Sequence, residues 1–125
     1  MPLEMIKKEI ESVMAEYLDA FAKGEVDRID RVVSYPLTHL GRESAVVYDH
    51  YPIDPRELKE KTGWSFSRYE TDVIAASETK AHVIGKGTRH RADGSIIETI
   101  EALYVFYKKD GRFKIAAVSD ITRPV

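Results

Sequence analysis

The sequence contains no cysteine, and this absence excludes disulfide bonds, thiolate catalysis and sulfur-bound metal sites. It has little net charge, −2 at pH 7, so it offers no basic surface of the kind that binds nucleic acid. No apolar run approaches the roughly 20 residues of a membrane span. The N-terminus also lacks the apolar core of a signal peptide. We therefore expect a soluble, cytoplasmic protein with no nucleic-acid or membrane partner.

The chain of 125 residues is 43% hydrophobic, which suits one globular domain with a single sizeable core. No internal repeat, low-complexity segment or linker divides it. We therefore predict a single domain spanning residues 1–125.

The N-terminal third predicts two helices. Gly24 is placed to end the first helix in a left-handed cap, and a second helix follows at about 25–34. Pro36 is expected to close the second helix, because the residue before a proline avoids the helical region. The first helix carries an apolar stripe at helical spacing, formed by Ile6, Ile10, Val13, Met14, Tyr17, Leu18 and Phe21.

Short extended segments, broken by turns, are expected over 37–53. Asp54 and Pro55 then form a helix start, an N-cap followed by proline at the first helical position, and this third helix ends near Gly63. A strand is predicted to about residue 76. Three longer strands follow, at roughly 79–92, 95–108 and 112–122.

Two Asp-Gly turns, Asp93-Gly94 and Asp110-Gly111, predict two-residue type I′ hairpins and so fix the strand register. The first turn places three pairs opposite each other: Arg89 with Glu98, Lys86 with Glu101, and Ile84 with Leu103. Opposite charges in two of these pairs support the register. The second turn places two pairs opposite each other: Leu103 with Val118 and Glu101 with Asp120.

Gly85 and Gly87 lie in the middle of a predicted strand. Glycine in such a position marks either a bulge or bend, or a close approach by another part of the chain. Both interpretations remain open from the sequence.

The predicted order of elements defines an α+β fold, with three helices in the N-terminal half packed on a strongly bent antiparallel sheet. The segment 17–29, YLDAFAKGEVDRI, and the ending 107–115, YKKDGRFKI, resemble the opening and the final hairpin of the nuclear transport factor two-like superfamily. That superfamily has a cone-shaped barrel and includes ketosteroid isomerase, scytalone dehydratase and the SnoaL-like cyclases. The resemblance implies a small-molecule pocket, homodimerisation through the outer sheet face, and chemistry that needs no cofactor.

Alignment of the final hairpin with that of ketosteroid isomerase implies that Leu103, Glu101, Val118 and Asp120 face the pocket together with Lys86. The opposite, more continuously apolar face then becomes the dimer surface, although the reverse assignment remains open. Adjacent carboxylates at Glu101 and Asp120 would repel each other, so one pKa should rise and suit acid–base catalysis. The alternative is a solvated Lys86–Glu101 pair, with Asp120 near a strand end.

Tyr17 aligns with the tyrosine of ketosteroid isomerase that donates to the oxyanion. The two acids of that enzyme are missing here: its base would fall near His39 and its protonated aspartate near Leu103. Imidazole titrates near neutrality, so His39 is a candidate replacement for the base. The alternative for Tyr17 is a core residue with a satisfied hydroxyl.

Scytalone dehydratase uses Tyr, His and Asp around its cavity, and Tyr48, His39 and Asp120 form a loose analogue. Trp64 is expected either at the open end of the cone or in the core. No histidine pair has the spacing of a metal site, so we predict no bound metal.

Two functions remain open at this stage. The first is binding of a small apolar or carbonyl-bearing molecule, with proton transfer as in an isomerase, cyclase or dehydratase. Asp120 or Glu101 would be its acid or base. The second is a dimeric, non-catalytic association module whose cone is closed by its own side chains.

Overall fold

The computed structural model describes residues 2–125. Over this range the chain forms three helices packed on a six-stranded sheet. The helices are α1 (Leu3–Lys23), α2 (Val26–Val32) and α3 (Pro55–Thr62). The strands are β1 (Val33–Leu40), β2 (Ala45–Tyr48), β3 (Phe66–Ala76), β4 (Lys80–His90), β5 (Ile96–Lys109) and β6 (Arg112–Pro124).

The predicted C-terminal end of α1 and the predicted start and end of α3 are confirmed. Gly24 has φ 70°, and its N–H donates to the carbonyl of Phe21 at 3.1 Å, as a left-handed cap requires. The Asp54 carboxylate accepts a hydrogen bond from the N–H of Arg56 at 3.0 Å, and Gly63 ends α3 with φ 76°. These local signals act within a few residues, which is why the sequence specifies them well.

The predicted end of α2 is wrong. The helix stops at Val32 rather than at about residue 34, and Pro36 lies inside β1 instead of terminating a helix. Val33 is buried and pairs with Ile115 of β6. A β-branched residue with a strand partner is more stable extended than in a final helical turn.

The strand order is β2-β1-β6-β5-β4-β3. The sheet is strongly curved and does not close into a full barrel, and the fold is α+β as predicted. The sheet is not wholly antiparallel as expected, because β1 runs parallel to β6. The intervening chain, which includes α3, supplies the long connection that a parallel pair needs.

The inner face of the sheet is the face covered by the helices, and it carries the core. Here the sequence-based choice of faces is wrong, because the more apolar face, assigned above to the dimer surface, lies beneath α1. An apolar face is more stable covered than exposed, and the helices are the cover available within one chain. The core side chains on the sheet are Val83, Ala102, Tyr104, Phe106, Phe113 and Ile115, and those on α1 are Ile6, Ile10, Met14, Tyr17 and Ala20.

The β4–β5 hairpin keeps the predicted register by a different turn. Arg89 pairs with Glu98 as expected, but the register shifts by one residue at His90. Asp93 does not have the positive φ that a type I′ turn requires, whereas Gly94 does, with φ 89°. The N–H of Gly94 donates to the Arg91 carbonyl at 2.9 Å. A longer turn and a compensating bulge thus return the same pairing.

The β5–β6 hairpin has the predicted turn but a different register. Asp110 and Gly111 both have positive φ, 53° and 79°, as in a type I′ turn. A register shift at Val105 then displaces every later pair. A single extra residue moves a side chain to the other face of a sheet, so the predicted pairing of Glu101 with Asp120 is wrong. Ser119 pairs with Leu103, Val118 with Tyr104, Asp120 with Ala102 and Ile121 with Glu101.

No helix within residues 2–125 is long and apolar enough to cross a membrane.

Candidate functional site

A cavity of about 470 Å³ lies between the inner face of the sheet, α1 and the segment after β2. This volume is in the range of small-molecule pockets. Its walls are mostly aromatic and aliphatic, with a few polar groups. Its lining residues include Tyr17, Phe21, His39, Tyr51, Trp64, Tyr69, Arg89, Ala102, Tyr104, Val118, Asp120 and Thr122.

Asp120 and His39 form a hydrogen-bonded pair in this cavity. The register shift in β6 places Asp120 opposite the buried Ala102 and therefore on the inner face. His39 of β1 lies beside Val118 of the parallel neighbour β6. Asp120 Oδ1 is 2.5 Å from His39 Nε2, and Asp120 Oδ2 accepts a hydrogen bond from Thr122 Oγ1 at 2.9 Å. Two partners thus orient a carboxylate that has about four acceptor positions.

Two pairs of tyrosine hydroxyls also line the cavity. Tyr17 Oη lies 2.5 Å from Tyr51 Oη, and Tyr69 Oη lies 2.8 Å from Tyr104 Oη. The rings of Tyr17 and Tyr104 pack edge to face with centroids 5.9 Å apart. In each pair one hydroxyl donates to the other, so the accepting hydroxyl keeps its own proton for a ligand.

Burial keeps these four phenols protonated. It is the first cause that raises the pKa of Tyr17, Tyr51, Tyr69 and Tyr104 above the ordinary value of 10. Desolvation disfavours the charged phenolate. The tyrosines are therefore hydrogen-bond donors at neutral pH.

Two glycines of β4 leave the space that the ring of Tyr69 occupies. A Cβ at Gly85 would lie 2.3 Å from Tyr69 Oη, and one at Gly87 would lie 2.4 Å from Tyr69 Cδ1. Of the two interpretations left open by the sequence, the structure therefore supports the close approach: the ring of Tyr69 lies directly against the β4 backbone. Its hydroxyl can then reach Tyr104 on β5.

Aromatic and cationic side chains complete the wall near α1 and β3. The rings of Phe21 and Trp64 have centroids 5.3 Å apart, and Trp64 Nε1 donates to Ser67 Oγ at 2.8 Å. The guanidinium carbon of Arg89 lies 5.9 Å from the centroid of the Phe21 ring, a distance compatible with a cation–π contact.

The structure brings five of the residues singled out from the sequence into one cavity. These are Tyr17, His39, Trp64, Val118 and Asp120.

Four others do not line this cavity: Glu101, Lys86, Leu103 and Tyr48.

Glu101 and Lys86 lie on the outer face of the sheet. The prediction that Glu101 and Asp120 lie side by side in the pocket with Lys86 is therefore wrong. Glu101 Oε2 accepts a hydrogen bond from Arg123 at 2.8 Å, and Lys86 Nζ is 3.7 Å from Glu101 Oε1. The Arg123 guanidinium lowers the pKa of Glu101, instead of a neighbouring carboxylate raising it. Leu103 pairs with Ile84 of β4 on the same outer face, and the ring of Tyr48 packs against His50 at 5.8 Å.

The sequence did not single out Tyr51, Tyr69 or Thr122 as site residues. Thr122 and Arg89 lie on the inner face of the sheet, the face that the sequence-based choice did not assign to the pocket. Tyr69 had one available signal, because it lies directly opposite Gly87, and an aromatic residue opposite a strand glycine often covers it. Tyr51 lies outside the helices and strands, where no periodicity applies.

The part of the chain that the structure describes holds no group of three or more His, Cys, Asp or Glu side chains arranged to bind a metal ion.

Comparisons with known proteins identify the fold. No protein-family model and no curated protein sequence matches the chain. Among solved structures, the chain is similar to an NTF2-like protein of unknown function from Silicibacter pomeroyi, at 10% identity and TM-score 0.71, covering 98% of this chain and 100% of the other. An NTF2-like protein of unknown function from Shewanella baltica gives 12% identity and TM-score 0.69, covering 100% and 99% of the two chains.

A cystatin-like fold protein from Burkholderia xenovorans gives 14% identity and TM-score 0.71, covering 98% of this chain and 95% of the other. The chain therefore has the NTF2-like, cystatin-like cone fold that the sequence resemblance implied. At these identities the similarity concerns the fold alone, and functions differ widely within one fold.

Proposed function

We propose that this protein binds a small apolar, carbonyl-bearing molecule in the cone and transfers a proton on it without a cofactor. The observation that carries the proposal is the Asp120–His39 pair in a cavity that also presents protonated tyrosine hydroxyls. A positioned base and hydrogen-bond donors in an apolar cavity are the two parts that enolisation requires.

The proposed step uses Asp120 as the base. Its carboxylate takes a proton from the carbon next to the carbonyl, and the electron pair moves to the carbonyl oxygen. A hydroxyl of the Tyr17–Tyr51 or Tyr69–Tyr104 pair donates to that oxygen as negative charge develops. Asp120 then returns the proton to the same or another carbon. His39 and Thr122 orient the carboxylate throughout.

The alternative, a non-catalytic module with a closed cone, is not favoured. A cone filled by its own side chains would leave no cavity beside Asp120, whereas about 470 Å³ is left there. If the protein binds a ligand without catalysis, the carboxylate of Asp120 can only anchor that ligand. Loss of proton transfer in Asp120→Asn would distinguish catalysis in this cavity from binding alone.

Trp64 is the only tryptophan in the sequence and lines the cavity, so its fluorescence reports occupancy. We expect decalone, an apolar bicyclic ketone without strong near-ultraviolet absorption, to change the Trp64 emission saturably. Ala102→Phe places a large ring at a residue that lines the cavity and should abolish the change. Ala15→Phe makes the same substitution on the exposed side of α1 and should leave it intact. Equal responses in the two variants would contradict binding in this cavity.

We further propose that two copies associate through the outer face of the sheet. The helices cover the inner face, and apolar side chains cross the outer face at Leu40, Val47 and Ile121, of which Ile121 is 55% exposed. Light scattering at tens of micromolar should report a dimer that Ile121→Glu dissociates. Met5→Glu, at a residue of α1 that is 57% exposed, should leave the dimer intact. A monomeric wild-type protein would contradict this proposal.

A further inference from the structure

We infer that the ligand of this cavity carries a carboxylate, or another planar anionic group, that Arg89 binds at the end of the cavity remote from Asp120. The inference rests on the proposed function and specifies the class of ligand.

Arg89 is the cationic side chain of the cavity wall. It projects from the inner face of β4, and its side chain is 17% exposed. One of its terminal N–H groups donates to Glu98 Oε2. Glu98 itself does not line the cavity, whereas Phe21 does, and the guanidinium carbon of Arg89 lies 5.9 Å from the centroid of the Phe21 ring.

The bond to Glu98 uses one of the five N–H donors of a guanidinium. No buried side-chain nitrogen or oxygen among residues 2–125 lacks a partner. The remaining donor nitrogens of Arg89 therefore contact solvent, and Arg89 lines the solvent-accessible cavity. A planar fork of donors matches the two oxygens of a carboxylate, which a single ammonium does not.

The positive charge of Arg89 also acts on the tyrosine hydroxyls. It opposes the burial that raises the pKa of Tyr17, Tyr51, Tyr69 and Tyr104. The neutral phenols do not balance the charge of Arg89, and Glu98 engages only one of its donors, so the same guanidinium can also interact with a bound anion.

Arg89 and Asp120 lie at opposite ends of the cavity. Asp120 is opposite Ala102, which is opposite Gly85, and Arg89 is four residues further along β4. Strand spacing and rise give about 16 Å between the two residues, measured along the sheet. A ligand can therefore place its carbonyl near Asp120 while its carboxylate stays away from that negative charge.

The test compares two probes of the same shape, adamantane carboxylate and its neutral analogue adamantane carboxamide, by titration of Trp64 fluorescence at pH 7. For the wild-type protein we expect the carboxylate to bind about tenfold more tightly than the amide, because a hydrogen bond to a charged group exceeds a neutral one by about that factor. Glu98→Gln removes the competing anion and should increase the preference.

Arg89→Gln alone would leave Glu98 as an unpaired, largely buried charge, so the discriminating variant is Arg89→Gln/Glu98→Gln. In this double variant the two probes should bind with affinities within about twofold of each other. Equal affinities in the wild-type protein, or a preference retained in the double variant, would overturn the inference while leaving the cavity as a ligand site. Failure of both probes to bind the wild-type protein would overturn the inference and the proposed binding function together.

Discussion

Replacement of Gly85 by alanine should destabilise the protein through a clash with one side chain, Tyr69. The added Cβ would lie 2.3 Å from Tyr69 Oη and 2.5 Å from Cζ, whereas ordinary contacts are about 3.5–4 Å. The ring must withdraw by more than about 1 Å. This movement breaks the 2.8 Å hydrogen bond to Tyr104.

The expected cost is about 1–3 kcal/mol for overpacking and about 1 kcal/mol for the lost hydrogen bond. Alanine gains back about 0.5–1 kcal/mol over glycine within a strand. The free energy of unfolding should therefore fall by about 1–3.5 kcal/mol. In a Tyr69→Ala background the clash and the hydrogen bond are both gone, and Gly85→Ala should be neutral or slightly stabilising, which gives a coupling energy of about 2–4 kcal/mol.

Gly87 provides the matched control. A Cβ at Gly87 would lie 2.2 Å from the backbone carbonyl oxygen of Arg68 as well as against the Tyr69 ring. Removal of the ring cannot relieve a clash with backbone, so Gly87→Ala should stay destabilising in the Tyr69→Ala background. Urea unfolding followed by Trp64 fluorescence measures all the variants. Additive effects of Gly85→Ala and Tyr69→Ala, or rescue of Gly87→Ala, would refute the reasoning.

Two further predictions concern charges. Arg28 bonds to Glu16 and Asp19 at 2.9 Å and lowers the pKa of both, so their contribution to stability is present at neutral pH and is lost as pH falls below their ordinary values of 4.5 and 3.8. Arg28→Met should lower Tm most near pH 7 and progressively less in acid, and a deficit unchanged down to pH 3 would contradict this. The pKa values of Tyr17, Tyr51, Tyr69 and Tyr104 are raised in the folded protein. Their contribution to the free energy of unfolding is therefore fully present below pH 10 and is lost as the pH rises further, because the unfolded chain then ionises first. Their phenolate absorbance should therefore appear together with loss of circular dichroism at alkaline pH, and complete ionisation of a folded protein would count against the buried pairs.

Local sequence signals predicted most of the elements but not the face of the sheet that forms the site. The caps at Gly24, Asp54 and Gly63 and the turn at Asp110 depend on backbone conformations that few residues adopt, so they can be recognised in isolation. The end of α2 was missed because Val33 is held in β1 by a partner 82 residues away, Ile115. Such long-range pairing leaves no local mark.

The predicted positions of Asp120 and Glu101 depended on one long-range feature, the pairing register of β6 with β5. Counting from the second Asp-Gly turn placed Asp120 beside Glu101, and a register shift at Val105 moved it opposite Ala102. Asp120 therefore lies in the cavity as predicted, but through a different register and on the opposite face of the sheet from Glu101, which lies outside. His39 was selected because it occupies the place of a missing base, and it contacts Asp120 across two strands that the sequence did not show to be neighbours.

The central claim is that Asp120 acts as a base on a carbonyl compound inside the cone. Exchange of the protons next to the carbonyl of decalone for deuterium, followed by NMR in deuterated water, tests it without knowledge of the natural substrate. We expect the wild-type protein to accelerate exchange above the buffer rate and Asp120→Asn to slow it by about a hundredfold or more. Asp72→Asn, the same change at an exposed residue paired with Ile84 on the outer face, should leave the rate unchanged. No acceleration by the wild-type protein, or an undiminished rate in Asp120→Asn, would contradict the account.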